Sequence, residues 1–573
     1  MVKIVHFETL GCKLNQLESE GALRAFADAG FAVSFKSLTA QDDADRNVVL
    51  CVINTCTVTA KAEQKARRLI RLALAKFPES AVLVTGCYAQ MEKEAICALG
   101  DDEASLRFGA GGKEKEDEAA GKANRVCVLE GKKKSALADV PAFLWRTQSR
   151  GGRLAEELRA FFADEKYFLS SSGAIFKPFS LSTDSFAKHS RASIKIQDGC
   201  DNACSYCRIR LARGRSVSLS AEEVISRARE IENAGQKEIV ITSVNIAQYC
   251  GSYNGGFIGL AELLDLLLRG TKSVSFRISS LYPEIVDERL AEIVSNKRVR
   301  PHFHISAQSG SDKILQAMRR PYRAQAIYRA CALLKDVKKN PFLACDIIAG
   351  FPGETEEDFA LTMKLLLECG FVFVHAFPFS ARPGTAAYNM LPKVPNRLVT
   401  ERIRRLEQYN VEHKTRYIES FIGKTLPAII ERIPRETHSK TKNAEDETTE
   451  NGTESTDRGT AENEMAEVRS SVGAGASDSS LIRAVTENFL HCKIVLPQTT
   501  PRHKIHDGTE NEMTEARKKT AESAGRETAE NGTTENETPI ASVHQGSEVC
   551  VRIIRALSKE ESLGDTDALA ELR

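Results

Sequence analysis

Two sets of three cysteines restrict what this chain can fold around. The compact set has C-x3-C-x2-C spacing within the segment DGCDNACSYCRIR and comprises Cys200, Cys204 and Cys207. The dispersed set lies far apart along the chain, each member just after a short apolar run, and comprises Cys12, Cys56 and Cys87. Three thiolates bind three irons of a four-iron cluster and leave the fourth iron without a protein ligand. The compact spacing therefore predicts an iron centre that performs chemistry rather than only storing electrons.

Length and composition indicate a globular protein of several domains. The 573 residues are 42% hydrophobic and 27% charged, which is enough material for three or four buried cores. A formal net charge of +1 provides no overall basic field, so an RNA partner would need a local basic patch. The sequence predicts no signal peptide and no membrane-spanning run. We therefore expect a cytoplasmic protein whose fifteen cysteines are mostly reduced.

Residues 1–150 alternate short β-type runs with amphipathic helical stretches, which is typical of a doubly wound parallel sheet. The dispersed cysteines come after the runs VKIVHF, NVVLCVIN and AVLVTG, so we expect them at the carboxyl ends of strands, where ligands of open α/β sheets gather. Any one of them alone is typical of a loop cysteine, but the repeated position favours a shared cluster. Cys51 differs, because it lies inside a strand-like run and is expected to pack in the core.

A second α/β domain is predicted at 190–420, after a linker at 151–189. Six strand-like runs alternate there with helical patterns, which predicts an incomplete TIM-type (β/α)6 barrel. The compact set follows the first of these runs and is therefore expected at the top of the barrel, where such folds place their chemistry. Structural zinc is the alternative, but zinc requires four ligands, and the sequence near this loop offers neither a histidine nor a fourth cysteine.

The compact set resembles the signature of the radical S-adenosylmethionine (SAM) superfamily, which has an aromatic residue before the last cysteine, here Tyr206. Over about residues 2–420 the chain also resembles the methylthiotransferase family, in the motifs TLGCKLNQLESE, VINTCTVTAKAEQKARR, TGCYAQ, ARGRS, HISAQSGSDKILQAMRRPY, DIIAGFPGETEEDF and FPFSARPGT. GCKLNQ followed by NTCTVT is most similar to the branch that converts N6-threonylcarbamoyladenosine, 3′ to the anticodon in tRNA, to its 2-methylthio derivative.

This resemblance implies two [4Fe-4S] clusters and SAM as cofactors. The compact set would hold the cluster whose free iron binds SAM, and the dispersed set would hold an auxiliary cluster that carries the sulfur. Cleavage of SAM would give a 5′-deoxyadenosyl radical that abstracts hydrogen from adenine C2, which then takes the methylthio group. No catalytic side chain is implied beyond the cluster ligands. The implied partners are a tRNA substrate, an external reductant and a sulfur donor, with no membrane and a monomeric chain.

Two alternatives remain open at this point. A methylthiotransferase of another branch would act on isopentenyladenosine in tRNA or on a ribosomal-protein aspartate. From a different class, an RNA-binding protein would carry purely structural clusters, although six ligands without a seventh or eighth argue against it.

Contacts to SAM are predicted at the ends of barrel strands. The family resemblance and the strand-end glycines indicate Tyr206, Gln308, Ser309, Asp346 and Gly350. An ordinary turn would also account for the glycine in this set. The chain departs from the family pattern at 305–307, where Ile-Pro-Leu is usual, and at 208–210, where an apolar pair is usual. Both departures change the packing expected around this pocket.

Several basic side chains are candidate phosphate contacts for RNA, although such groups more often form a solvated face. They are Lys65, Arg67, Arg68, Arg213, Arg215, Arg319 and Arg320. Residues 421–560 contain small β-rich runs and resemble the TRAM-like RNA-binding β-barrel that family members carry after the radical domain. Insertions at 434–480 and 497–546 interrupt it with repeated Thr, Glu, Asn and Gly phrases, a composition that predicts disordered loops.

Overall fold

The computed structural model describes residues 3–108, 124–163, 179–181, 191–432, 482–495, 546–557 and 566–572. The chain divides into two compact units. The first comprises residues 1–421 and 486–490, and the second comprises residues 422–485 and 491–573. None of the helices in the described ranges has both the length and the apolar content needed to span a lipid bilayer.

The amino-terminal part of the first unit is a five-stranded, all-parallel sheet with the order β2-β1-β3-β4-β5. Its strands are β1 Ile4–Thr9, β2 Ala32–Ser34, β3 Val48–Thr55, β4 Ala81–Gly86 and β5 Val126–Val128. The accompanying helices are α1 Lys13–Asp28, α2 Ala60–Lys76, α3 Cys87–Met91, α4 Lys93–Phe108, α5 Val140–Arg146 and α6 Gly151–Ala163. Helices α1, α5 and α6 pack on one face of the sheet, and α2 and α4 pack on the other, which confirms the predicted doubly wound arrangement.

Helix α6 occupies the start of the stretch predicted as a linker at 151–189. Its apolar residues recur at helical spacing, and Leu154, Leu158 and Phe161 are buried in the core on one face of the amino-terminal sheet. The helix therefore belongs to that core, because removing this apolar stripe from water stabilises it. The rest of the predicted linker lies outside the described residues, apart from 179–181.

Six parallel strands then follow in chain order, as the sequence predicts for an incomplete barrel. They are β6 Ala192–Asp198, β8 Glu238–Ser243, β11 Ser275–Ile278, β12 His302–Gln308, β13 Phe342–Ala349 and β14 Phe373–Pro378. They form two sheets, β11-β8-β6 and β12-β13-β14. Isolated parallel bridges near β11 and β12 join the two sheets. Strand β7 Val217–Ser218 pairs antiparallel with β6, and β9 Gly251–Tyr253 pairs with β10 Gly256–Ile258.

The short helix α7 Ile209–Arg213 follows the compact cysteine loop and contacts α3 of the amino-terminal part. The other helices cover the barrel. They are α8 Ala221–Asn233, α9 Leu260–Gly270, α10 Glu288–Val294, α11 Asp312–Ala317, α12 Ala324–Val337, α13 Glu356–Cys369 and α14 Asn396–Glu419. Alternate strand residues such as Ile241, Phe303 and Cys345 face these helices in one continuous apolar core. The opposite positions carry polar side chains, including Lys195, Gln197 and His304, so the interior of the barrel is polar.

A small closed β-barrel with the order β15-β16-β17-β19-β18 lies at the carboxyl end. Its strands are β15 Thr425–Arg432, β16 Ile482–Thr486, β17 His491–Val495, β18 Glu548–Ala556 and β19 Ala568–Leu572. Burial alternates along β18, as expected for a strand with one face in a core. The barrel confirms the predicted β fold, and β19 is a strand beyond the predicted boundary at residue 560. The predicted insertions lie outside the described residues, apart from Gly546.

Candidate functional site

The dispersed cysteines lie at one edge of the amino-terminal sheet. Cys12 directly precedes α1, Cys56 directly follows β3, and Cys87 is the first residue of α3 directly after β4. Strands β1 and β3 are neighbours at the point where the strand order reverses, which is where such sheets bind ligands. The loops touch, because a Cβ placed on Gly11 would lie 2.5 Å from Cys56 Cβ and 3.0 Å from its Sγ.

Burial raises the pKa of the free thiol of Cys56 in the dispersed set and of Cys207 in the compact set. It raises the pKa of Cys56 to about 11, an effect to which the nearby Cys87 and Cys12 thiols add. Burial likewise raises the pKa of Cys207 to about 12. A metal ligand must be a thiolate, so these sulfurs need a bound cation to compensate the buried negative charge. The donor set therefore fits a metal-containing group.

The compact set lies in the loop after barrel strand β6, as predicted. Each of its three sulfurs accepts a hydrogen bond: Cys200 from Asn245 Nδ2 at 3.6 Å, Cys204 from Arg320 Nη1 at 3.3 Å, and Cys207 from the Ile209 amide at 3.4 Å. Hydrogen bonds to cysteine sulfurs stabilise the negative charge of a thiolate-bound cluster. The loop carries the three sulfurs, and two of their three donors, Asn245 and Arg320, come from other segments of the barrel half.

The sulfurs in neither set surround a single point. Within the described ranges, no three His, Cys, Asp or Glu side chains form a group that could hold one metal ion. A multi-iron cluster has a different requirement, since each thiolate binds a different iron. Each set offers three thiolates, the number that leaves one iron of a four-iron cluster open, whereas a structural zinc site needs four ligands around one ion.

Two of the predicted SAM contacts lie together beside the compact set. The Tyr206 hydroxyl donates a hydrogen bond to Gln308 Oε1 at 3.2 Å. Gln308 ends strand β12 in a left-handed conformation, with φ of 66°. Ser309, the next residue, is buried, and its hydroxyl lies 3.3 Å from Thr362 Oγ1 on α13. The Ser309 side chain is thus engaged with a covering helix.

The other two predicted contacts have partners of their own. Asp346 lies within strand β13, rather than after it, and its Oδ1 is 3.0 Å from His304 Nε2. Gly350 has φ of +79°, and a Cβ there would lie 2.4 Å from Val399 on α14. Close packing of that helix therefore accounts for the glycine.

The structure separates the basic residues into two kinds. Arg213 and Arg320 are buried, with 7% and 6% of their surface exposed, and both are held by ion pairs or hydrogen bonds inside the first unit. Their prediction as phosphate contacts is wrong, because a phosphate cannot reach them. Arg215, Arg319, Lys65 and Arg68 are exposed, while Arg67 is half-buried and bonded to the Tyr88 hydroxyl.

Sequence reasoning missed the buried carboxylates that contact this region. Glu18 of α1 and Glu63 of α2 are 1% and 8% exposed and pair with basic side chains from the barrel half of the unit. Charged residues of amphipathic helices are generally expected on the solvent face. The departure of Arg208 from an apolar family pattern was the only signal, since a charged residue at an apolar position needs a buried partner.

Comparison with known proteins gives a family match for each half of the first unit. A model described as the Radical SAM superfamily matches residues 194–366, and a model described as Uncharacterized protein family UPF0004 matches residues 4–107. The chain is 41% identical to the threonylcarbamoyladenosine tRNA methylthiotransferase MtaB of Treponema pallidum, covering 75% of this chain and 91% of that protein.

Two further relatives show how the similarity is distributed. The MtaB protein of Thermotoga maritima is 32% identical, over 75% of this chain and 87% of that protein. A tRNA-2-methylthio-N(6)-dimethylallyladenosine synthase of Anaplasma marginale is 27% identical, over 75% of this chain and 85% of that protein. The higher identities, over nearly whole relatives, show that the chain belongs to the threonylcarbamoyladenosine tRNA methylthiotransferase family.

Proposed function

We propose that the chain transfers a methylthio group to C2 of N6-threonylcarbamoyladenosine next to the anticodon in tRNA. The observation that carries this proposal is the 41% identity over 91% of a relative named for that reaction. It is supported by the two cysteine sets, which one compact unit brings to the sheet edge and to the loop after β6. The branches acting on isopentenyladenosine or on a protein aspartate are not favoured.

The places of the cysteines in the fold support the roles that we propose for them. Cys200, Cys204 and Cys207 would hold the SAM-binding [4Fe-4S] cluster, and the dispersed set would hold the auxiliary [4Fe-4S] cluster. When bound, these groups and SAM supply the electron, the methyl group and the sulfur for the reaction. The protein's own side chains hold the cysteine loop in place and orient its sulfurs. Asn245 and Arg320 direct hydrogen bonds at the sulfurs, and Tyr206 ties the cysteine loop to strand β12 through Gln308.

The remaining parts of the chain have roles that fit this reaction. We assign residues 1–150 to the auxiliary-cluster domain, 190–420 to the radical domain and 421–560 to a TRAM-like domain that binds the tRNA. The enzyme would work in the cytoplasm as a monomer, with an external reductant and a sulfur donor. Exposed Arg215 and Arg319 are the basic side chains still available for phosphate contacts near the compact set.

The proposal is tested in a bacterial host that lacks its own threonylcarbamoyladenosine methylthiotransferase. Nucleosides from digested tRNA are measured by mass spectrometry after expression of the chain. We expect 2-methylthio-threonylcarbamoyladenosine with the unaltered protein and with Cys250→Ala, which changes an exposed cysteine outside both sets. The product should disappear with Cys56→Ala and with Cys200→Ala. Unmodified threonylcarbamoyladenosine in the presence of soluble, iron-loaded protein would reject the proposed substrate.

A further inference from the structure

The three dispersed cysteines share one structural feature. Each lies at or just before the start of a helix. Cys12 directly precedes α1, three residues separate Cys56 from α2, and Cys87 is the first residue of α3. The positions of these cysteines therefore depend on how the three helices are held. All three helices receive side chains from the short segment directly after Cys207 of the compact set.

Arg208 connects that segment to two of the helices. Its Nη1 donates to Glu63 Oε1 of α2 at 3.2 Å, and its Nη2 donates to Glu92 Oε1, at the end of α3, at 2.8 Å. The side chain is 5% exposed. Glu63 also accepts hydrogen bonds from the Thr57 hydroxyl, beside Cys56, and from Arg382. The guanidinium group of Arg208, the residue after Cys207, thus contacts the helix that follows Cys56 and the end of the helix that begins at Cys87.

Arg213 makes the matching connection to the third helix. Its Nη2 donates to Asn15 Oδ1 at 2.7 Å, and its Nη1 donates to Glu18 Oε1 at 3.1 Å, both on α1. Its Nη1 also donates to Asp198, two residues before Cys200, at 2.9 Å. Asp198 therefore ties the same guanidinium group to the start of the compact cysteine loop.

Further charges complete this buried network. Lys195 of β6 donates to Glu18 at 2.8 Å and to Asp198 at 2.9 Å, and Lys134 also pairs with Glu18. Burial by itself would raise the pKa of Glu18, but attraction to Arg213, Lys134 and Lys195 holds it well below its usual range. Breaking a buried pair leaves an uncompensated charge and is strongly destabilising, so these contacts favour one arrangement of the two halves.

We propose that Arg208 and Arg213 form an arginine clamp, a pair of positioning residues that holds the dispersed cysteines in fixed relation to the compact cysteines. The clamp rests on the proposed function, since a reaction that uses both cofactor sites on one adenine needs a fixed distance and orientation between the two sites. Planar guanidinium groups suit this role, because two donors in a rigid fork fix orientation as well as distance.

The first test measures, in protein without any cofactor, whether Arg208 restrains helices α2 and α3. Hydrogen–deuterium exchange is followed in full-length apoprotein for peptides covering the first turn of α2 and all of α3. We expect exchange there to be roughly tenfold faster in Arg208→Gln, as for the loss of a hydrogen bond between charged groups. The exchange rate in Arg208→Lys should lie between those of the unaltered protein and Arg208→Gln. Lysine keeps the positive charge but lacks the two parallel donors of the guanidinium group. Arg329→Gln is the matched control, because Arg329 pairs with Glu288 on the exposed outside of the barrel.

The second test uses the cluster-loaded enzyme with tRNA. In Arg208→Gln, release of 5′-deoxyadenosine from SAM should remain within about twofold of the unaltered enzyme. The ratio of methylthiolated nucleoside to 5′-deoxyadenosine should fall roughly tenfold. If Arg208→Gln fails to fold, Glu92→Gln replaces it, because that substitution removes one contact of the fork at a carboxylate that is 35% exposed.

The outcomes separate the clamp from the proposed function. Unchanged exchange in α2 and α3 together with an unchanged product ratio would overturn the clamp. If the unaltered enzyme releases 5′-deoxyadenosine but never methylthiolates threonylcarbamoyladenosine, the proposed function fails, and the exchange measurement still decides whether the clamp exists. Faster exchange in Arg329→Gln at the same peptides would also reject it, since the effect would then be unspecific.

Discussion

At the scale of single residues, Arg320 shows how burial changes the meaning of a basic side chain. Its guanidinium carbon lies 4.4 Å from the centre of the Tyr282 ring and 4.9 Å from that of Tyr322. Its Nη1 donates to Cys204 Sγ at 3.3 Å. The neighbouring Arg319 is exposed. Two adjacent arginines that look equivalent in the sequence therefore have different environments, since Arg320 is buried beside Cys204 and Arg319 is in solvent.

Replacing Arg320 by Gln should lower the reduction potential of the cluster in the compact set. A positive charge near a cluster favours its reduced, more negative form, so removing that charge makes reduction harder. The expected decrease is on the order of 100 mV at most, since a hydrogen bond to a charged group contributes about 1.5–3 kcal/mol and 59 mV is tenfold for one electron. The potential is measured by redox titration followed by electron paramagnetic resonance.

Arg319→Gln is the control for this measurement, because it removes the same charge from an exposed position. Its effect on the potential should be small, since solvent screens the charge. Equal shifts in the two variants would contradict a specific role for Arg320. Thermal unfolding of both variants shows whether either substitution disturbs the fold.

At the scale of elements, the passage from β4 into α3 depends on Gly86. This residue has φ of 97° and ψ of −164°, a region that is essentially restricted to glycine. A Cβ there would lie 2.3 Å from the Thr55 carbonyl oxygen, the residue paired with Gly86 across β3 and β4. The glycine allows the chain to turn directly from the strand into the helix, which places Cys87 beside Cys56.

Gly86→Ala should therefore destabilise the amino-terminal sheet by more than about 3 kcal/mol. The strain of positive φ in alanine and the collision of its Cβ with the Thr55 backbone both contribute. Gly235→Ala is the matched comparison, because Gly235 also has positive φ, 86°, but has open space around its Cβ position. We expect it to cost only about 1 kcal/mol. Urea unfolding of the apoprotein measures both. Similar losses in the two variants would show that close packing at Gly86 is unimportant.

At the scale of the whole molecule, the barrel strands are joined at one end by a buried charge cluster. Glu238 of β8 accepts from Arg277 of β11 at 2.7 Å and from Arg300, just before β12, at 3.0 Å. All three side chains are at most 5% exposed. The cluster spans the junction between the two sheets of the barrel, which are paired with each other only through isolated bridges.

The stability of the apoprotein should depend on the ionisation of Glu238. Burial by itself would raise its pKa, but the guanidinium groups of Arg277, Arg191 and Arg300 lower it to about 2, from 4.5 in an unfolded chain. A lowered pKa contributes stability above the unfolded value, and this contribution is lost as the pH falls from about 4.5 to about 2. The amount is roughly 3 kcal/mol. Urea unfolding between pH 6 and pH 2 measures it.

Glu238→Gln should remove this pH dependence. The variant should be less stable than the unaltered protein at neutral pH, and the difference should shrink as the pH falls, because the carboxyl group of the unaltered protein becomes neutral. A difference that stays constant down to pH 2 would contradict the lowered pKa.

Local patterns in the sequence are sufficient to predict most strands and helices of this protein and the positions of its cysteines relative to them. Strand and helix periodicity depends on neighbouring residues, so β1, β3 and β4 and the cysteines at their ends were predictable, as was Cys51 inside a strand. Six strand-like runs likewise predicted the six barrel strands. The strand order of the small barrel and helix α6 in a predicted linker were not predictable in this way.

Which charges are buried depends on contacts between segments that are far apart in the sequence. Arg213 pairs with Glu18 across 195 positions of sequence, and Arg208 pairs with Glu63 across 145. Periodicity predicts that a helical glutamate lies on a surface, but it does not specify whether water or another domain covers that surface. Burial without a partner is costly, so each pair depends on two distant segments folding against each other. For this reason the clamp between the cysteine sets could be recognised only in three dimensions.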